Sequence, residues 1–227
     1  MWEDRRRVNG AATAFEAQRR YMVDRHLKCR GIRDERVLEA MGCIPRELFV
    51  PERYRHNAYC DEPIPIGCGQ TISQPYITAL MVQALELKGT EKVLEVGAGS
   101  GYHAAVLAAL AREVITIEII PELAEMARRN LEATGCGANV RVILGDGSLG
   151  YPPEAPYDAI SVAAAAPEIP PQLVDQLDDP GRLVIPIGSL DEQELIVLTK
   201  SGGATSTRVA ALCRFVPLRG GEGWRFH

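Results

Sequence analysis

Between Val93 and Ile187 short apolar runs alternate with longer helical patterns. A chain satisfies that order by laying parallel strands side by side, with the helices as right-handed crossovers. Val93–Val96, Val114–Glu118, Val140–Leu144, Tyr157–Val162 and Leu183–Ile187 read as strands. Tyr102–Ala111 reads as an Ala/Leu-rich helix and Pro121–Thr134 as a second one. Pro121 suits a first helical turn, and Leu123, Ala127 and Leu131 give that helix one buried stripe. Leu195–Thr199 and Arg208–Val216 follow as a hairpin-like pair around Ser201-Gly202-Gly203. The expected fold is α/β and Rossmann-like, with a mostly parallel central sheet, helices on both faces and an N-terminal helical extension.

That extension has its own texture. Residues 1–12 read as a flexible arm carrying the one basic run, Arg5–Arg7. Ala14 to Met41 is helical in pattern, with Gly31 as a break and Asp34 near the start of a second helix. From Pro45 to Gln70, the residues Pro45, Pro51, Pro63, Pro65, Gly67 and Gly69 predict irregular structure. Gln74-Pro75 then leads into a helix over Tyr76–Leu87. The division expected is an arm at 1–12, a helical and loop extension at 13–88 contributing the substrate-side loop, and a ligand-binding core at 89–227, the last two packed as one domain.

Composition excludes several classes. At 46% hydrophobic the chain is too apolar for disorder, yet no apolar run approaches the ~20 residues a bilayer demands. No apolar stretch follows Met1–Arg7 as a secretory signal would have it, so a cytoplasmic protein without membrane partners is expected. A net charge of −5 without a dense basic block argues against nucleic acid. The six cysteines include no C-x-x-C pair and the four histidines show no ligand spacing, so no metal and reduced thiols are expected.

The motif with chemistry in it is Glu95-Val96-Gly97-Ala98-Gly99-Ser100-Gly101-Tyr102, at the carboxyl end of the first strand of the series. In open α/β sheets ligands bind there. A dinucleotide fingerprint needs G-x-G-x-x-G, and Tyr102 stands where its last glycine belongs; a phosphate loop needs a Lys after the final glycine, and none follows Gly101. The G-x-G-x-G spacing fits the loop that packs on the amino-acid part of S-adenosylmethionine, with a ligand-free strand-to-helix turn as the alternative. Glu118 ends the second strand, next to Ile119, where a carboxylate can accept both ribose hydroxyls. Asp146, before Gly147, ends the third, where it can accept from an adenine amino group. Each also has a plain reading, as a solvated strand-end carboxylate and as a turn-forming Asp-Gly.

Further segments resemble one family. Gly69-Gln70-Thr71-Ile72-Ser73-Gln74-Pro75-Tyr76, Pro45–Pro51, Ala58–Asp61, Gly145-Asp146-Gly147, Ala164-Ala165-Ala166-Pro167, Gly181–Gly188 and Phe215–Leu218 are similar, in order, to the protein-L-isoaspartate O-methyltransferases. The likeness runs over roughly residues 18–224. It implies the Rossmann-like S-adenosylmethionine-dependent methyltransferase fold and the cofactor S-adenosyl-L-methionine, leaving as S-adenosyl-L-homocysteine. It implies methyl transfer to the free α-carboxylate of L-isoaspartyl residues in damaged proteins and peptides. The ester closes to a succinimide, whose hydrolysis restores some aspartyl residue. A monomer is expected.

By that resemblance Ser73 is the active-site serine, and the cofactor-binding set is Thr71, Ile72, Glu95, Gly97, Ala98, Gly99, Ser100, Gly101, Glu118, Ile119, Asp146 and Gly147. A carboxylate, with a reference pKa near ~4, is ionised at neutral pH and needs no strong base. Accordingly no Ser-His-Asp or Cys-His group occurs among the motifs. Ser73 reads as a donor orienting the nucleophilic oxygen, the plainer reading being that Thr71 or Ser73 caps the next helix. His103 is expected on the helix surface or at the cofactor's edge. Departures from the family pattern are Asp178-Asp179-Pro180-Gly181 and Ala163, read as surface or packing variation, and Arg219 on the substrate side. Competing readings are a dedicated peptide partner as substrate, a non-enzymatic adenosyl sensor, and a nicotinamide dehydrogenase.

Overall fold

The computed structural model describes residues 10–224. Most of the arm expected at 1–12 therefore lies outside the described residues, but residues 10–12 already belong to helix α1, Gly10–Tyr21. The chain continues through a π-helical turn, Met22–Leu27, and a 3₁₀ turn, Lys28–Arg30, and stops where Gly31 takes φ +97°. Helix α2, Glu35–Cys43, starts on the Asp34 cap, whose carboxylate accepts the N–H groups of Arg36 at 2.9 Å and Val37 at 3.4 Å. The segment expected to be irregular holds an antiparallel ribbon, β1 Ile64–Gly67 and β2 Gln70–Ile72. Its alternation is only two apolar residues long, Ile64 and Ile66, and two prolines disguise it. Helix α3, Pro75–Leu85, ends two residues early because Glu86 adopts the left-handed conformation.

The core elements are β3 Lys92–Val96, α4 Tyr102–Leu110, β4 Glu113–Glu118, α5 Pro121–Thr134, β5 Val140–Leu144, β6 Tyr157–Val162, α6 Pro171–Asp175, β7 Leu177–Gly188, β8 Gln193–Ser201 and β9 Ala204–Cys213. The strands form one seven-stranded sheet in the order β5-β4-β3-β6-β7-β8-β9. β5 through β7 run parallel and β8 and β9 close the edge antiparallel. The chain moves outward from β3 to β5 and then returns to the other side of β3. The strand order therefore reverses between β3 and β6, and a crevice opens at their carboxyl ends.

The N-terminal extension packs over α4. Residues of α4 such as Ala104, Val106 and Leu107 are 0% exposed, and one apolar cluster joins Met22, Leu27, Met41 and Phe49 of the extension to Val93 and Leu107 of the core. A helix covered on all sides is apolar all round, which accounts for its Ala/Leu composition. It also corrects the expectation for His103, which is 8% exposed and turned inward rather than lying on the surface.

Gly101 marks the tightest junction. It has φ +89° and caps α4, and a Cβ there would meet the Cα and O of Ala127 in α5 at 3.2 Å. Gly101→Ala should therefore destabilise the fold by about 1–3 kcal/mol. Urea unfolding reads this directly; a midpoint within error of the parent would mean that α5 yields at no cost.

Candidate active site

The glycine turn after β3 is fixed from below. The N–H groups of Gly97 and Ala98 both donate to the Ile117 carbonyl, at 2.8 and 3.2 Å, and Gly97 and Gly99 take φ of +93° and +54°. Glu118, at the end of β4, is 5% exposed. Its Oε2 accepts the Gly99 N–H at 2.8 Å and its Oε1 accepts the Ile120 N–H at 3.0 Å. A carboxylate has about four acceptor positions, so two remain. They border a cavity at the reversal point, walled by the Gly97–Gly99 turn, Glu118, Ile119, Ile120 and Leu123, by Gly147, by Ala163 and Ala164 after β6, by Gln70 and Thr71 of β2, and by Val216 to Arg219.

Of the residues expected to hold a cofactor, Thr71, Gly97, Gly99, Glu118, Ile119 and Gly147 line this cavity. Ala98, Ser100 and Gly101 belong to the turn but do not line it, and Ile72 is buried at 6% exposure. Asp146 stands beside the cavity with both oxygens engaged. Oδ1 accepts the Ser148 N–H at 2.9 Å and hydroxyl at 2.6 Å, and Oδ2 accepts the Gly221 N–H at 2.8 Å.

Sequence reasoning missed Ile120, Leu123 and the wall after β6. Ala163 follows the fourth strand, so the logic of strand ends would have reached it, and it faces the cavity rather than serving only as packing. The C-terminal wall carries no local signal. Ala165 draws it in, donating its N–H to Val216 and accepting from the Leu218 N–H at 2.7 Å and the Trp224 indole at 3.0 Å. This contact places Arg219 in the cavity wall.

Ser73 sits between β2 and α3, half-buried, two residues beyond Thr71. α3 has no side-chain cap, so neither Thr71 nor Ser73 serves as one. Its neighbours are tied down by Gln74 Nε2 donating to the Asp61 carbonyl at 2.8 Å and by the Tyr76 N–H donating to the Asp61 carboxylate at 3.2 Å.

Beneath the turn lies a buried polar layer. Glu95 is 0% exposed, and in register beside it lie Thr116 on β4 and Ser161 on β6, both also buried. The Ser161 hydroxyl is 3.3 Å from Nε2 of His103. Burial pushes the Glu95 carboxyl up to about 8, with Thr116 opposing the shift and the charge of Glu118 adding to it. Burial pulls the His103 imidazole down to about 4. Neither carboxyl oxygen of Glu95 has a hydrogen-bond partner, and burial keeps the group a neutral acid at neutral pH.

A carboxylate with free acceptor positions, a turn of glycines with positive φ and apolar walls fit an adenosyl ligand. Among the described residues no group of His, Cys, Asp and Glu could hold a metal ion. No helix there is long and apolar enough to cross a membrane. The fold and this site define an S-adenosylmethionine-dependent methyltransferase. The chain belongs to the protein-L-isoaspartate(D-aspartate) O-methyltransferase family, whose family model matches residues 17–223. It is 52% identical over 208 residues to a protein-L-isoaspartate O-methyltransferase of Methanoculleus marisnigri, covering 92% of this chain and 94% of that one. It is 54% identical over 220 residues to protein-L-isoaspartate O-methyltransferase 1 of Rhodopseudomonas palustris, covering 96% and 89%. A Plasmodium falciparum structure assigned to the same enzyme, in complex with S-adenosyl-L-homocysteine, superposes with a TM-score of 0.74 at 29% identity, covering 88% of this chain and 98% of that one.

Glu95 makes a pH-dependent prediction. The unfolded chain releases this proton near the ordinary value of 4.5 and the folded chain holds it to about 8, so between those values rising pH progressively penalises folding. Glu95→Gln removes that penalty. The Tm of cofactor-free Glu95→Gln, relative to wild type, should become steadily more favourable from pH 5 to pH 8; a difference independent of pH would contradict a neutral Glu95.

Proposed function

We propose that this chain transfers the methyl group of S-adenosyl-L-methionine to the free α-carboxylate of L-isoaspartyl residues in damaged proteins and peptides. The methyl ester leads through a succinimide to restored aspartyl residues. The observation that carries this reading is the placement of Ser73 two residues beyond Thr71, which lines the cavity that Glu118 and the glycine turn enclose.

When bound, the cofactor supplies a methyl group on a positively charged sulfur, an electrophile that a carboxylate oxygen can take. Glu118 would accept the ribose hydroxyls through its two remaining acceptor positions. Gly97 and Gly99 let the ligand approach the main chain closely, with Ala98, Ser100 and Gly101 completing the turn and Glu95 buried beneath it. Thr71, Ile119 and Gly147 close the cofactor's sides, with Ile72 anchoring the Thr71 strand in the apolar core. Asp146 would accept from the adenine amino group at the acceptor position left on its Oδ2, while that same oxygen holds the segment around Gly221 beside the cavity. Ser73 would donate its hydroxyl proton to the substrate carboxylate and turn one oxygen toward the methyl group. Since the nucleophile is already ionised, orientation is the main task left to the protein.

In this reading residues 13–88 supply the substrate side and residues 89–227 the cofactor side of one domain. The shared apolar cluster of extension and core supports that division. A monomer acting in the cytoplasm on isoaspartyl proteins, without nucleic acid or membrane, completes the proposal. The net charge of −5 supports the exclusion of nucleic acid.

Matched peptides containing isoaspartate or aspartate, supplied with methyl-labelled cofactor, test the reading. Label should appear on the isoaspartyl peptide alone and be released as methanol in mild base; equal labelling of both peptides, or of neither, would overturn it. Ser73→Ala should lower kcat about 10–100-fold, the worth of one hydrogen bond to a charged group, while cofactor affinity holds. Equal losses in both would remove Ser73 from the reacting end.

A further inference from the structure

The methyl-transfer reading leaves one buried group unused. Arg46 comes from the extension and is 0% exposed. Its Nε donates to the Ala58 carbonyl at 2.7 Å and its Nη2 to the Ser73 carbonyl at 2.8 Å. One edge of the guanidinium thus bridges two main-chain carbonyls, the second belonging to the proposed substrate-orienting serine. Its carbon lies 4.8 Å from the ring centroid of Tyr102, which is 1% exposed and packed edge-on against Phe49. Tyr102 is the first residue of α4, directly after the glycine turn. One side chain therefore touches both the Ser73 segment and the helix that begins at the cofactor turn.

Among the described residues no carboxylate forms an ion pair with Arg46, and Nη1 has no hydrogen-bond partner. A guanidinium buried without a counter-ion is an expensive way to fill space, and an apolar side chain of similar volume would serve stability as well or better. Its planar fork supplies two donors at a fixed separation, which the single ammonium of lysine does not reproduce.

We propose that Arg46 is a positioning residue for methyl transfer, holding the Ser73 main chain in register with the cofactor turn. This rests on the reading of Ser73 as the residue at the substrate carboxylate. Arg46 acts through Ser73, so its effect belongs in kcat and disappears once the Ser73 hydroxyl is gone.

The test is a double-mutant cycle on the full chain with an isoaspartyl peptide. It compares kcat, both KM values and Tm for wild type, Arg46→Lys, Ser73→Ala and the pair. Arg46→Lys should lower kcat about tenfold or more, as a small misplacement of a reacting group does, with the cofactor KM within about twofold. The double variant should be no slower than Ser73→Ala alone. If Ser73→Ala is slow but Arg46→Lys leaves kcat unchanged, or the two losses multiply, the Arg46 proposal falls and the Ser73 reading stands. If Ser73→Ala leaves kcat unchanged, both fall. Should Arg46→Lys not fold, Arg46→Gln takes its place in the same cycle. Loss of folded protein in both variants assigns Arg46 to stability and overturns the proposal.

Discussion

Two hydrogen bonds to one carboxylate hold the functional end of this molecule in shape. Glu118 receives the Gly99 N–H on one oxygen and the Ile120 N–H on the other. It thereby fastens the turn that leaves β3 to the turn that leaves β4. Both turns have left the sheet ladder, and their donors would otherwise need other partners near the cavity. A buried anion serves them well, because hydrogen bonds to a charged acceptor are about twice as strong as neutral ones. The same carboxylate forms part of the cavity wall, so the element that shapes the turn also faces the ligand.

The rest of the site is assembled around that fixed point from remote parts of the chain. α4 is apolar on every side because the sheet covers one face and the N-terminal extension the other. That sandwich brings Gln70 and Thr71 into the cavity wall. From the opposite end of the chain, Ala165 captures Leu218 and Trp224 and sets Arg219 into the wall. Underneath, Glu95, Thr116, Ser161 and His103 give the turn a buried polar floor.

The core was legible because its signals are local and repeated. Val140–Leu144, Tyr157–Val162 and Pro121–Thr134 were read to the residue, since alternation, helical stripe and a first-turn proline coincide there. Glu118 was legible as a strand-end acid. The ribbon over Ile64–Ile72 was not, because two short strands broken by prolines carry almost no periodicity. His103 was misjudged because nothing in a helix sequence tells which neighbour covers its outer face. The Val216–Arg219 wall and the Gly221 contact of Asp146 depend on contacts up to 75 residues apart, which no local pattern encodes. The identity of the methyl acceptor was legible only as resemblance, around Thr71-Ile72-Ser73.

Calorimetric titration of S-adenosyl-L-homocysteine into wild type and Glu118→Ala tests this arrangement most directly. With two charge-assisted acceptor positions lost and the glycine turn released, affinity should fall at least tenfold in a chain that remains folded by thermal unfolding. Wild-type affinity in the folded Glu118→Ala protein would contradict the central role given to this carboxylate.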